Sequence, residues 1–397
     1  MKIRAVTLGM DLPLSEPAAA LADAAGFLVA ARQRFVEAGL DVQTTRLAGP
    51  DLGRVLDQLG ADGTRRWAES LEAAALHAGI EFFSFGRVPA RAHQFVADHL
   101  GSMLAAGLGF ASADLIESGL PSIAMAAACA RAVRVLADST ADGFGNLRFA
   151  ATASCPPNIP FLPAAYHVGG PSRFSVAVQA ADVVLDVLRT EGSLSDIEDR
   201  LVQALEAACA PIEDAATEIE RDTGVPFVGI DLSPAPFPTS EVSIGGAIEA
   251  AGVDRFGAPG TLFVAAMVTR GIRRTRVRRS GFSGLMLPVL EDAVLARRAA
   301  DCPSTLHELL LYSAVCGTGL DTVPLPGDIG ESELAGAYLD VAALSVALNG
   351  KPLTARLLPV PGAKAGDMTG YTFEYFVNSR VLPSTAHGAA GLIARER

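Results

Sequence analysis

Short apolar runs of three to seven residues recur along the whole chain, and between several of them apolar residues return at every third or fourth position. The runs at 3–8, 42–47, 80–85, 108–113, 147–153, 174–178, 227–230, 283–287, 322–324, 342–348, 354–358 and 373–377 predict buried strands. The spacing between them predicts helices over 15–38, 51–59, 64–77, 121–138 and 195–223. Ser15 is placed to cap the first helix and Gly39 to end it. Ser195, with Glu198 three residues on, has the spacing of a capping box. Strand and helix in alternation predict βαβ units and a parallel sheet. About ten strands are too many for one small doubly wound unit, and the expected fold is one α/β barrel. No composition break, linker or repeat divides the 397 residues, so one domain over 1–397 is expected.

One stretch organises the rest. Residues 226–243, PFVGIDLSPAPFPTSEVS, begin as a strand and place Asp231 and Ser233 at its end. Pro234, Pro236 and Pro238 then forbid helix and ladder pairing. An acid and a hydroxyl on a stiff loop at a strand end suit ligand binding. The plainer alternative is that Asp231 caps the local turn.

Composition narrows the class. Hydrophobic residues are 50% and aromatics 6%, so the core is aliphatic and alanine-rich. The net charge of −12 argues against nucleic acid and anionic membranes as partners. The run RGIRRTRVRR at 270–279 opposes that balance; it is either a solvated helix end or a docking patch for an acidic partner. Cys129, Cys155, Cys209, Cys302 and Cys316 form no metal-ligand spacing, and their odd number without a signal peptide is expected of a cytoplasmic protein. No run is long and apolar enough to span a bilayer.

Candidate chemistry gathers on loops at strand ends. The loop 155–170, CPPNIPFLPAAYHVGG, holds Asn158 to orient a carbonyl or carboxylate and His167 as acid/base. Cys155 is a weaker candidate nucleophile. The run 280–292, SGFSGLMLPVLED, offers the Ser283 hydroxyl, an approachable Gly284 N–H, and the acidic pair Glu291 and Asp292, which either complements a helix dipole or binds an amine or a divalent cation. CGTGLDTVPLPGD at 316–328 sets Gly319 beside Asp321; it lacks the third glycine of a dinucleotide site. Arg356 is suited to clamp a carboxylate.

Six segments taken in order, IRAVTLGMD, NIPFLPAAYH, GIDLSPAPFP, GFSGLMLPVLED, AVCGTGLDTVPLPGD and LLPVPGAKAGD, resemble the DUF711 or UPF0210 family. The resemblance implies a ten-stranded α/β barrel like that of pyruvate formate-lyase. It also implies that the family pattern falls on Asn158, His167, Asp231, Ser233, Ser283, Gly284, Glu291, Asp292, Gly319, Asp321, Gly366 and Asp367. Gly388 and Gly391 lack the context of a radical glycine, and Cys316 has no adjacent cysteine, so a barrel without radical machinery is expected. Cys155-Pro156-Pro157 stands where the family usually carries an acidic pair, and Gly257 to Thr261 lacks the usual histidine, which marks a divergent member.

The expected function is a non-radical lyase, isomerase or hydrolase acting on a small polar, carboxylate-bearing metabolite in the barrel mouth. His167 and Asp231 would be catalytic. Asn158, Ser233, Ser283, Gly284, Gly319 and Arg356 would bind substrate. Glu291, Asp292 and Asp321 would hold an amine or a divalent cation, Mg or Ca. The alternative is a metabolite-binding regulatory protein, because the resemblance implies an ACT-domain partner. A homo-oligomer is expected in either case.

Overall fold

The computed structural model describes residues 1–301, 305–384 and 388–396; Cys302 lies outside them. Eleven strands are present among the described residues: β1 Lys2–Gly9, β2 Val42–Ala48, β3 Phe82–Val88, β4 Phe110–Asp114, β5 Ile116–Glu117, β6 Leu120–Pro121, β7 Phe149–Ala153, β8 Arg173–Gln179, β9 Phe227–Asp231, β10 Gly319–Pro326 and β11 Leu353–Val360. Nine of them form one sheet in the order β10-β11-β7-β4-β3-β2-β1-β8-β9, and β5 with β6 makes a separate two-residue hairpin. The fold is therefore α/β with a large, mostly parallel sheet.

The sheet is not parallel throughout. β1, β2, β3, β4 and β7 run together. β8 joins β1 antiparallel and β9 follows β8 in parallel, while β11 joins β7 antiparallel and β10 follows β11 in parallel. A central set of five strands is thus flanked by two pairs of opposite direction. Each outer edge is met by the same irregular segment. Ile230 N–H donates to Arg278 O at 2.7 Å and Ser280 N–H to Ile230 O at 2.8 Å on the β9 side. On the other side Gly317 N–H donates to Leu285 O at 2.6 Å and Val289 N–H to Asp321 O at 3.2 Å. These contacts satisfy backbone groups that an open sheet edge would leave unpaired.

Three predicted strands are absent. Residues 342–348 belong to the helix Glu331–Ala347, which packs on the helix Ile123–Ser139. A short run of Ala, Leu and Val reads as strand or helix alike, and alanine and leucine favour the helix once both faces are covered. Residues 373–377 form an irregular aromatic loop in which Phe373 and Phe376 meet Phe144 edge-on. Residues 283–287 carry the edge contacts above without forming a regular strand.

Helix ends differ in detail from expectation. Ser15 caps nothing; the first helix is Ala18–Glu37 with Pro17 at its start. The predicted helices at 51–59 and 64–77 are one kinked helix, Leu52–His77, broken only by the left-handed backbone of Gly60. The capping box belongs to Ser193 and Asp196, at the start of Leu194–Thr223. Glu198 is freed for another task. It is buried, and it accepts from Arg270 at 3.0 Å and from Arg274 at 2.9 Å. Further along the same helix, Glu206 and Glu213 accept from the backbones of Arg276 and Arg278, and Glu220 pairs with Arg278. The chain's own acids thus pair with the Arg270, Arg274 and Arg278 side chains of the basic run, while Arg273, Arg276 and Arg279 stay exposed. No helix among the described residues is long and apolar enough to cross a membrane.

The Arg270 hydrogen bond, with help from Arg274, holds the Glu198 carboxyl below its usual range. Its contribution to stability is therefore full above a pH of about 4.3 and is lost as pH falls through the depressed value. Glu198→Gln is expected to cost about 1–2 kcal/mol at pH 7, because the arginines are half exposed. Urea denaturation of both proteins at pH 7 and pH 3 checks this, and the gap between them should shrink at the lower pH.

Candidate functional site

Two loops meet at the sheet. The first, 155–170, leaves β7. Its Pro160 carbonyl accepts from Thr7 Oγ1 on β1 at 3.3 Å and from Arg46 Nη1 on β2 at 3.4 Å. The second, 280–291, is pinned to the end of β9 by Asp231. That carboxylate is buried and accepts from Ser233 Oγ at 2.7 Å, Ser233 N at 3.1 Å, Ser283 N at 3.0 Å and Phe282 N at 3.1 Å. Burial pushes its carboxyl up, and these four donors oppose the rise. The loops touch through Phe161 and Phe282, edge to face with centroids 5.3 Å apart.

Beside this contact lies a cavity of about 80 Å³. Its floor comes from the first residues of the central strands, Arg4 on β1 and Thr44 and Arg46 on β2. Asp231, Met286, Glu291 and Arg356 also line it, with Phe161, Phe373 and Tyr375 from loops. An outer groove of about 500 Å³, with Lys2, Arg32 and Glu374 on its walls, shares Gln43 and Tyr375 with the cavity.

The charges are arranged as a chain. Arg356 Nε donates to Asp321 Oδ1 at 2.7 Å and its Nη2 to Glu291 Oε1 at 2.9 Å. The other Glu291 oxygen accepts from Arg4 at 2.6 Å. Arg356, Glu291 and Asp321 are buried, and Asp321 Oδ2 has no partner among the described residues. Burial drives the Asp321 carboxyl up, Glu291 adds to that, and Arg356 opposes it. Arg46 differs from the other two arginines. Its Nε donates to Thr44 Oγ1 at 3.0 Å and its Nη1 to the Pro160 carbonyl, but no ion pair reaches it among the described residues. Burial and then the repulsion of Arg4 push it down, the nearby Glu291 opposes this and Arg356 adds to it; the result is about 9, so it remains charged at neutral pH.

The sequence candidates divide between this cavity and other places. Asp231, Ser233, Glu291 and Arg356 line it. Ser233 Oγ also accepts from Gly284 N at 3.3 Å, and Ser283 Oγ donates to Ser280 O at 2.8 Å, so both hydroxyls fasten the loop. Gly284 lies flat on Gly317, where a Cβ would stand 2.7 Å from the Gly317 Cα; its role is close backbone approach. Gly319, at φ +99°, turns the chain into β10, and a Cβ there would meet Thr354 O at 2.4 Å.

Asp292 is buried away from any open ligand position. It accepts from Ser243 Oγ and Ile244 N, each at 2.6 Å, and from Val294 N at 2.9 Å and Leu295 N at 3.1 Å. It thus caps two helices, Ile244–Ala250 and Ala293–Asp301. Among the described residues no group of three or more His, Cys, Asp and Glu side chains is placed to hold a metal ion. The expected set of Glu291, Asp292 and Asp321 does not converge, because its oxygens face arginines and helix N-termini.

His167 does not join Asp231. It is buried where its backbone pairs with Gly49 and Asp51, past the end of β2, and its Nδ1 lies 2.7 Å from Asn158 Oδ1. A proton on Nδ1 satisfies that contact. Nε2 has no hydrogen bond among the described residues, and burial holds the imidazole's affinity for protons below the ordinary value. Neither His167 nor Asn158 lines the cavity. Cys155 is buried too, and burial pushes its thiol up, away from a reactive thiolate.

A family model described as Uncharacterised ACR (DUF711) matches residues 1–374. The chain belongs to the DUF711 family. A UPF0210 protein of Pyrobaculum islandicum is 32% identical over 392 residues, 93% of this chain and 87% of that protein. One from Desulforudis audaxviator is 28% identical over 94% of this chain and 88% of its own length. A third, from Pyrobaculum arsenaticum, is 41% identical over 231 residues, so that match spans only 55% of this chain and 51% of the relative.

Arg4, Thr44, Arg46 and Tyr375 escaped the sequence reading. The available signal was a charged residue within each of two buried strand runs, IRAVTLG and VQTTRLA. A buried strand admits an arginine only where a partner or a cavity receives it. Two of the arginines that line the cavity should therefore respond differently to removal. Arg356→Ala leaves Glu291 and Asp321 buried without a shared partner and should cost about 3–5 kcal/mol. Arg46→Gln breaks no ion pair and should change stability by under about 1 kcal/mol. Urea denaturation midpoints of the two variants decide this.

Proposed function

We propose that this DUF711 chain is an enzyme, a non-radical lyase, isomerase or hydrolase, that acts on a small carboxylate-bearing metabolite in the cavity beside the Phe161–Phe282 contact. The observation that carries the reading is Arg46, a guanidinium on the cavity wall without an ion pair among the described residues. A half-buried unpaired arginine is costly unless an anion meets it, and its planar fork suits a carboxylate. Arg46 then replaces Arg356 as the substrate clamp.

Proton transfer passes from His167 to groups that line the cavity. Besides its arginines, the ionisable side chains there are Asp231, Glu291 and Tyr375. Asp231 is held by four donors and Glu291 by Arg4 and Arg356, which leaves the Tyr375 hydroxyl as the acid/base group free to meet a bound ligand. Polar contacts in a small, partly enclosed cavity are stronger than in open water. Substrate enters from the outer groove past Gln43 and Tyr375. The reading also takes the sheet as a ten-stranded barrel like that of pyruvate formate-lyase, with residues 278–289 as the closing element. The bonds of that segment to both β9 and β10 support this.

The test is a thermal-shift and calorimetric screen of two- to five-carbon carboxylates, followed by NMR of the incubated mixtures. Wild type should bind at least one, and Arg46→Gln should weaken it at least tenfold while its melting temperature without ligand stays close to wild type. Tyr375→Phe should keep binding and lose turnover. Equal affinity in wild type and Arg46→Gln sinks the reading. Binding without turnover in wild type points instead to a metabolite-binding regulatory protein.

A further inference from the structure

The cavity holds more information than the sign of its ligand's charge. Of its three arginines, Arg4 and Arg356 already answer Glu291 and Asp321, and Arg46 alone is left to meet an anion. A second carboxylate on the same ligand would find no unpaired guanidinium among the lining residues, which also include the acids Glu291 and Asp231. Like charges in a poorly hydrated space repel strongly. Most of the remaining wall is apolar, including Phe82, Phe110, Phe161, Leu162, Met286 and Phe373. Size adds a limit. A volume of about 80 Å³ is close to half of the roughly 150 Å³ that accepts benzene.

Resting on the reading that Arg46 anchors a carboxylate, we propose that the ligand is a monocarboxylate with a short apolar body of about three to four carbons, and that dicarboxylates and aromatic acids are excluded. The carboxylate sits on Arg46 and the body faces Phe82, Phe110 and Met286. Met286 is the adaptable part of that wall, since its unbranched thioether can repack around straight or branched bodies. The Tyr375 hydroxyl lies on the side of the outer groove, where a keto or hydroxyl oxygen of the ligand can meet it.

The experiment is calorimetric titration of the full chain at constant ionic strength with acetate, propionate, isobutyrate, pyruvate, malonate, succinate and phenylacetate. Affinity should rise at least tenfold from acetate to propionate, isobutyrate or pyruvate. Malonate and succinate should bind at least tenfold more weakly than propionate, and phenylacetate should fail to bind. The wild-type series decides by itself, so it does not depend on any variant folding. If malonate or succinate binds more tightly than propionate and Arg46→Gln abolishes that binding, the monocarboxylate proposal falls while Arg46 stands as anchor. If none of the acids binds wild type, the carboxylate reading falls and this proposal falls with it.

Discussion

The buried guanidinium of Arg356 is the contact on which the interior depends. It comes from β11, holds Asp321 of β10, and holds Glu291 at the end of the 280–291 loop; Glu291 in turn holds Arg4 on β1. Four charges in a row thus join the central strands to the outer pair that runs the other way. Withdrawing such groups from water costs several kcal/mol each, and only close, well-directed partners offset it. The chain of pairs therefore demands one geometry, and a small shift of either half of the sheet would leave a charge unpaired. That constraint leaves Arg46 with a vacant side toward the cavity.

Carboxylates that looked like catalysts divide according to their donors. Asp231 and Asp292 each collect several N–H and O–H donors and fasten a loop or a pair of helix starts. In both, burial raises the carboxyl and the donors oppose it. Glu291 and Asp321 face arginines, and Asp321 keeps one oxygen unpartnered among the described residues. An unsatisfied buried oxygen is expensive. The same accounting applies to part of the basic run, where Glu198 pairs with Arg270 and Arg274 and Glu220 with Arg278.

Each half of the sheet presents its strand ends differently. Central strands offer their first residues to the cavity, while β9 offers the loop after its carboxyl end. Ligands of open α/β sheets gather at carboxyl ends of strands, and here two opposed sets bring a loop end and a strand start to one place. His167 and Asn158 lie past the carboxyl ends of the central set. For that reason two loops that look equivalent along the chain place their polar groups apart.

The local pattern alone determined much of this protein. Nine strand runs, the long helix ending at Thr223, the stiff loop after β9 and the family membership were all legible, because strand burial and proline or glycine punctuation are short-range properties. Residues 342–348 were not, since a short apolar run carries no period that separates helix from strand. The tertiary structure decided which polar groups meet. It reversed the outer strands, set Asp231 to hold a loop, paired Arg356 with two acids, and left Arg46 facing the cavity. Partner choice among buried charges depends on distances between residues as far apart as Arg4 and Glu291, and spacing along the chain does not encode those distances.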